Sequence, residues 1–203
     1  MTRARVALLH APAKVRGIAL LLHGGPVSST KPDLRLSPAY LRMLAFGPTL
    51  VARSHGHLVV AALRYRMQGW NEPDAPAVQD AEDALDRIQA RYPDRPIAVI
   101  GHSMGGRVAL RVAGHSAVRV VVGVSAWLPE TDPRPPVDGR SVLLLHGTHD
   151  LITPWKRSRQ LAEDLRADGV DATFVPLPRR GHNLLLTTDP HRAVADFVVD
   201  RMG

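Results

Sequence analysis

Residues 101–106 read Gly-His-Ser-Met-Gly-Gly, with Ser103 two positions from a glycine on either side. A serine hydroxyl is a poor nucleophile until a base takes its proton, and glycines at this spacing suit a sharp turn that holds the hydroxyl outward. The preceding Ile-Ala-Val-Ile is apolar and β-branched, and the following Arg-Val-Ala-Leu-Arg-Val-Ala has helical spacing, so the turn links a strand to a helix. The base is sought downstream among ten histidines. His102 lies inside the turn, and His23 and His146 end strands; His182, in Pro-Arg-Arg-Gly-His, follows the last predicted strand in a loop ahead of the final helix. The imidazole needs an acceptor to fix its tautomer, and in Ser-Val-Leu-Leu-Leu-His-Gly-Thr-His-Asp, Asp150 stands just past the C-terminal end of the strand read over 142–145. Such a trio attacks a carbonyl carbon, and the developing oxyanion needs two donors. The N–H of Met104, at a helix start, is one. After His23-Gly24, Gly25 is the other, because Pro26 has no N–H. Asp80 and Asp83 fall in a predicted helix over 76–91, on a solvated face or in interhelical contacts, and are left out.

The elements that must position these residues recur regularly. Apolar runs at 6–9, 18–22, 58–63, 97–100, 118–124, 142–145 and 172–175 predict strands, several continuously apolar as in strands covered on both faces. Helical patterns fall at 38–54, 76–91, 104–115, 154–167 and 190–201. The alternation predicts an α/β fold: a doubly wound, mostly parallel sheet of about seven strands with helices on both faces. The N-terminal run is placed at the sheet edge. Residues 25–36 and 129–139 read as loops, and the former is open between a mobile flap and a long connector.

With 203 residues, 45% of them hydrophobic, the chain suits one core, a single domain over 1–203. The formal charge of +7 comes from 23 Arg and 3 Lys scattered without a block, so no nucleic-acid partner is expected. No apolar run approaches the roughly 20 residues of a membrane span, which argues against stable membrane association. The apolar run at 6–9 falls short of a signal h-region, and a cytoplasmic location is expected. The absence of cysteine excludes disulfides, thiol nucleophiles and cysteine zinc sites. The oligomeric state is not legible.

The order Ser103, Asp150, His182, with His23-Gly24-Gly25 upstream, resembles the α/β-hydrolase superfamily along essentially the whole chain, specifically its serine esterase and lipase branch. The resemblance implies a Ser-His-Asp triad that hydrolyses small-molecule carboxylic esters of small to medium acyl groups through an acyl-enzyme, with no metal or organic cofactor. Relatives that open halides or epoxides carry Asp at the turn, where this chain has Ser103. Thioesterases, perhydrolases, amidases and acyltransferases use the same trio, and a non-catalytic ligand receptor is the alternative outside catalysis. Relatives often insert a lid after the strand that follows the nucleophile helix. Here residues 125–141 are few and Pro-rich, so no cap domain is expected and the site should be open. Its walls are then expected from Pro26 and Val27, Trp70, Trp127 and Leu128, and Leu151 and Ile152, with Trp127, Leu128, Leu151 and Ile152 as the substrate contacts.

Overall fold

The computed structural model describes residues 3–34, 36–183 and 189–202. Seven strands, β1 (Arg5–His10), β2 (Gly17–Leu22), β3 (Leu58–Arg64), β4 (Ile97–His102), β5 (Val118–Val124), β6 (Ser141–Gly147) and β7 (Asp171–Leu177), form one sheet in the order β1-β3-β2-β4-β5-β6-β7. β1 runs antiparallel to β3 at the edge, and every other pairing is parallel. From β2 the chain steps first to β3 on one side and then across to β4 on the other. The crevice between the C-terminal ends of β2 and β4 is thus the point where strand order reverses, where open α/β sheets gather ligands.

The continuously apolar strands are buried on both faces, as their composition requires. In β2, Ile18, Leu20 and Leu22 point into one core cluster, and Ala19 and Leu21 into the other. The first cluster is closed by α3 (Pro76–Arg91), α4 (Met104–Arg111) and α5 (Trp155–Ala167), and the second by α1 (Pro38–Leu44), α2 (Phe46–Arg53) and α6 (Asp189–Met202).

Two expectations are corrected. The single helix read over 38–54 is two, with the chain turning at Ala45. Pro48 explains the break: it has no N–H to give Leu44, whereas in the first turn of α2 that donor is not needed. Asp80, read as on a solvated face or in interhelical contacts, is 2% exposed and bonds instead to the chain leaving β3: its carboxylate accepts from the backbone N–H of Arg66 at 2.8 Å and faces the Arg66 guanidinium at 3.2 Å. Burial, opposed by those contacts, pushes its pKa up. Its work is to anchor the chain leaving β3 on α3.

Between β5 and β6 the described chain contains no helix, so no helical cap is inserted there. Residues 25–36, with Arg35 outside the described residues, are tied to the stretch 67–71. Backbone N–H groups of Gln68, Gly69, Trp70 and Asn71 donate to Lys31, Ser29, Pro26 and Val27, and the Asn71 side chain bonds both N–H and C=O of Ser29. No described helix is long and apolar enough to cross a membrane.

Candidate active site

Ser103 sits where β4 gives way to α4, with φ 56° and ψ −119°. Positive φ is rare for a residue with a side chain, and it persists only where the surroundings hold it. Here they do. The Ser103 N–H donates to Val124 O, and the Ser103 carbonyl accepts from Trp127, Gly106 and Arg107. A side chain at Gly101 would stand 2.0 Å from Gly105 O, and one at Gly105 would stand 2.2 Å from Leu22 O. Both glycines are therefore required by close backbone approach, and the turn cannot relax by moving away from β2.

The loop after β6 and the loop after β7 meet beside this turn. His182 Nδ1 donates to Asp150 Oδ2 at 2.8 Å. The other carboxylate oxygen accepts from the backbone N–H groups of Ile152 (2.8 Å) and Thr153 (2.9 Å), and Thr153 Oγ1 donates to Oδ2 at 2.9 Å. His146, at the end of β6, is fully buried and adds a contact that the sequence did not reveal: Nε2 lies 3.1 Å from Asp150 Oδ2, and Nδ1 lies 2.7 Å from Ser158 Oγ. Burial by itself would raise the Asp150 pKa, but hydrogen bonds from His146, His182, Thr153 and Ile152 outweigh it and hold the carboxyl well below the usual carboxylate range. Asp150 is therefore an anion at neutral pH, able to fix the tautomer of His182.

What joins the two halves of the site is His102, directly before Ser103. Its Nε2 donates to His182 O at 2.9 Å, and the two rings lie 4.8 Å apart. The hydrogen bonds of the described residues do not include one from Ser103 Oγ to the His182 ring, a contact that is often long before substrate binds. Because Nε2 donates to a carbonyl, Nδ1 of neutral His102 carries only a lone pair, and it is buried without a partner. Burial pushes the His102 pKa down to about 3, against the hydrogen bond to the His182 carbonyl, which favours the charged ring. Its unfolded value is near 6.5. Below that pH the unfolded chain binds a proton that the folded chain refuses, so stability falls as pH drops from about 6.5 towards 3. Between pH 7 and pH 4 this one group should cost roughly 3 kcal/mol. His102→Gln, which keeps a donor for His182 O but cannot titrate, is expected to lose measurably less stability over that interval in urea unfolding. An equal loss in both proteins would remove His102 as the cause.

The expected oxyanion donors lie on either side of the crevice. Met104 is the first residue of α4, where backbone N–H groups have no intrahelical acceptor. Gly24 and Gly25 come after His23, one residue past the end of β2, and a side chain at Gly24 would come within 3.2 Å of Ser103 Cβ. That places Gly24 against the serine, while a side chain at Gly25 would meet Gln68 O at 2.1 Å and the Met104 side chain at 3.0 Å. Leu151 and Ile152, 97% and 70% exposed, stand in solvent beside Asp150. Trp127 is half-buried and covers the guanidinium of Arg107 at 4.4 Å, and Leu128 lines a neighbouring cavity of about 300 Å³ with Pro129, Arg157 and Leu161.

Trp70, expected among the walls, is 1% exposed and belongs to the core. It lies against the Arg107 guanidinium at 3.8 Å with its ring edge-on to Trp127 at 6.0 Å, and its indole N–H donates to Glu72. Arg107, itself 2% exposed, also pairs with Asp132 and Glu72. One buried cation thus fastens the loop after β3 and the loop after β5 to α4. Among the described residues no group of three or more His, Asp or Glu side chains is arranged to hold a metal ion.

A seven-stranded sheet with a strained serine at its switch point and a buried His-Asp pair beside it defines a class of hydrolytic fold. The model of the alpha/beta hydrolase family matches residues 19–139, and the chain belongs to that family. Human protein phosphatase methylesterase 1 is 32% identical over 109 residues, 53% of this chain and 26% of the human protein. The chain therefore spans about a quarter of the length of that relative. An α/β serine hydrolase without a lid from Xanthomonas campestris superposes with a TM-score of 0.72 at 19% identity, over 98% of this chain and 88% of that one. Est1E from Butyrivibrio proteoclasticus, solved with ferulic acid bound, gives 0.70 at 14% identity, over 98% and 95%. At these identities the structural likenesses show the fold.

Proposed function

We propose that the protein hydrolyses carboxylic esters of small to medium acyl groups, with Ser103 as nucleophile, His182 as base and Asp150 as its acceptor. One observation carries the reading: Ser103 is locked at positive φ between strand and helix, beside the His182–Asp150 pair. On this reading, Ser103 Oγ attacks the carbonyl carbon while its proton passes to His182 Nε2. The N–H groups of Gly25 and Met104 receive the oxyanion. The tetrahedral intermediate collapses with protonation of the leaving alkoxide by His182, and water then repeats the cycle on the acyl-enzyme.

The lack of a helical cap between β5 and β6 supports an accessible site, with Trp127, Leu128, Leu151 and Ile152 as apolar contacts for the ester. The likeness to a protein phosphatase methylesterase favours a second, narrower reading within the same chemistry: a methyl ester of a protein carboxyl group, which an uncapped site admits. A panel of nitrophenyl esters of rising acyl length, run beside the matching thioesters and a peptide carboxyl methyl ester, separates the readings. Ester kcat/KM is expected to peak at short or medium chains and to exceed thioester kcat/KM. Faster thioester cleavage would overturn the ester assignment, and a methyl-ester optimum would select the narrower reading.

A further inference from the structure

His23 follows β2 directly and is 1% exposed. It lies outside the Ser103, His182 and Asp150 set, and its contacts point at the oxyanion side of the site. Its Nδ1 stands 2.8 Å from Gly24 O. A carbonyl only accepts, so Nδ1 carries the proton. In a trans peptide the C=O of one residue and the N–H of the next point in opposite directions across the same rigid plane. Holding Gly24 O therefore fixes the direction of the Gly25 N–H. The need is real, since a Gly-Gly segment has the greatest backbone freedom of any pair and no side chain by which to be held.

The other face of the imidazole is held as well. Nε2 lies 3.2 Å from Asp33 Oδ2, with both side chains nearly excluded from solvent, although the pair is off the line of a good hydrogen bond. Tyr65, at the end of β3, packs its ring 4.5 Å from the imidazole, and Tyr40 of α1 meets it edge-on at 5.7 Å. Nδ1 spends its proton on Gly24 O, so Nε2 is the ring nitrogen that faces the Asp33 carboxylate. The charge of Arg64 acts on the Tyr40 hydroxyl and that of Asp80 on the Tyr65 hydroxyl.

We infer that Asp33 and His23 are positioning residues that aim the Gly24–Gly25 peptide so that the Gly25 N–H meets the oxyanion. The inference rests on the proposed nucleophilic role of Ser103. Asp33 holds the ring, the ring holds Gly24 O, and the peptide plane transmits the constraint to the donor. The loop 25–36 is thus part of the catalytic scaffold, clamped to 67–71 so that Asp33 reaches His23.

The test is the rate of phosphonylation by a fluorophosphonate, followed by intact mass over a range of probe concentrations, so that kinact and KI are obtained separately. His23→Leu is expected to lower kinact by about 10- to 100-fold, less than outright removal of an oxyanion donor, with KI nearly unchanged. His23→Asn, whose side-chain N–H occupies the place of Nδ1, should recover most of that loss. Asp33→Leu should fall with His23→Leu, and Asp33→Asn, which can donate to the Nε2 lone pair, should stay near wild type. Melting curves accompany each variant, and if His23→Leu does not fold, Asp33→Leu and His23→Asn carry the comparison. Wild-type kinact in the leucine variants, or His23→Asn as slow as His23→Leu, overturns the inference. Failure of the wild type to be labelled would instead strike at the nucleophilic role of Ser103.

Discussion

Ser103→Ala is expected to lower kcat by on the order of 10⁶ on any ester the wild type cleaves, and His182→Ala by a similar factor. The losses are alike because nucleophile and base act as one unit. Without the base the hydroxyl keeps its proton, and without the hydroxyl the base has nothing to activate, so the double variant should be little worse than either single one. The fold should survive, since the contacts that lock the turn are made by the backbone of Ser103 and by Gly101 and Gly105. Residual hydrolysis would come from the oxyanion donors and from binding alone. Initial rates with a nitrophenyl ester, together with circular dichroism, check this. A loss of less than about 100-fold in a folded Ser103→Ala protein would mean that the acyl group is carried elsewhere.

The second large effect belongs to Asp150→Asn, expected to cost about 10⁴ in kcat by comparison with triads of this kind. The hydrogen bonds say why a nearly isosteric change should matter so much. Oδ1 accepts two backbone N–H groups, from Ile152 and Thr153, so the amide oxygen must take that place and the amide nitrogen falls where Oδ2 was. That nitrogen then meets His182 Nδ1, His146 Nε2 and Thr153 Oγ1, all of which had been donating to Oδ2. The hydroxyl of Thr153 can rotate, but each histidine must shift its proton to the other nitrogen. For His182 this puts the proton on Nε2, the atom that has to receive one from Ser103. The variant should fold, keep a KM close to wild type and lose kcat. Near-full activity would show that another acid serves His182.

Much of the fold was legible because strands buried on both faces have to be continuously apolar. β5 spans 118–124 as read, and α3, from Pro76 to Arg91, likewise. The misreadings share a physical origin in contacts distant in sequence. Nothing local in Val-Gln-Asp-Ala shows that Asp80 must satisfy the N–H of Arg66, and nothing in Gly-Trp-Asn shows that Trp70 will lie under Arg107. The candidate site was readable where a short motif carries its own geometry, as the glycines around Ser103 do. The pairing of Asp150 with His182 was legible only in outline, from chain order and strand ends. The support from His146 was not, because it depends on the turn at 147–150 folding the carboxylate back over the end of β6. The clamp between 25–36 and 67–71 was equally hidden, since it joins two loops with no regular pattern.

The most direct test of the account is intact-mass spectrometry after treatment with a fluorophosphonate, comparing wild type with Ser103→Ala. The account predicts a single covalent adduct on the wild-type protein and none on the variant. A folded wild-type protein that takes no adduct, or an adduct that persists when Ser103 is gone, would contradict it.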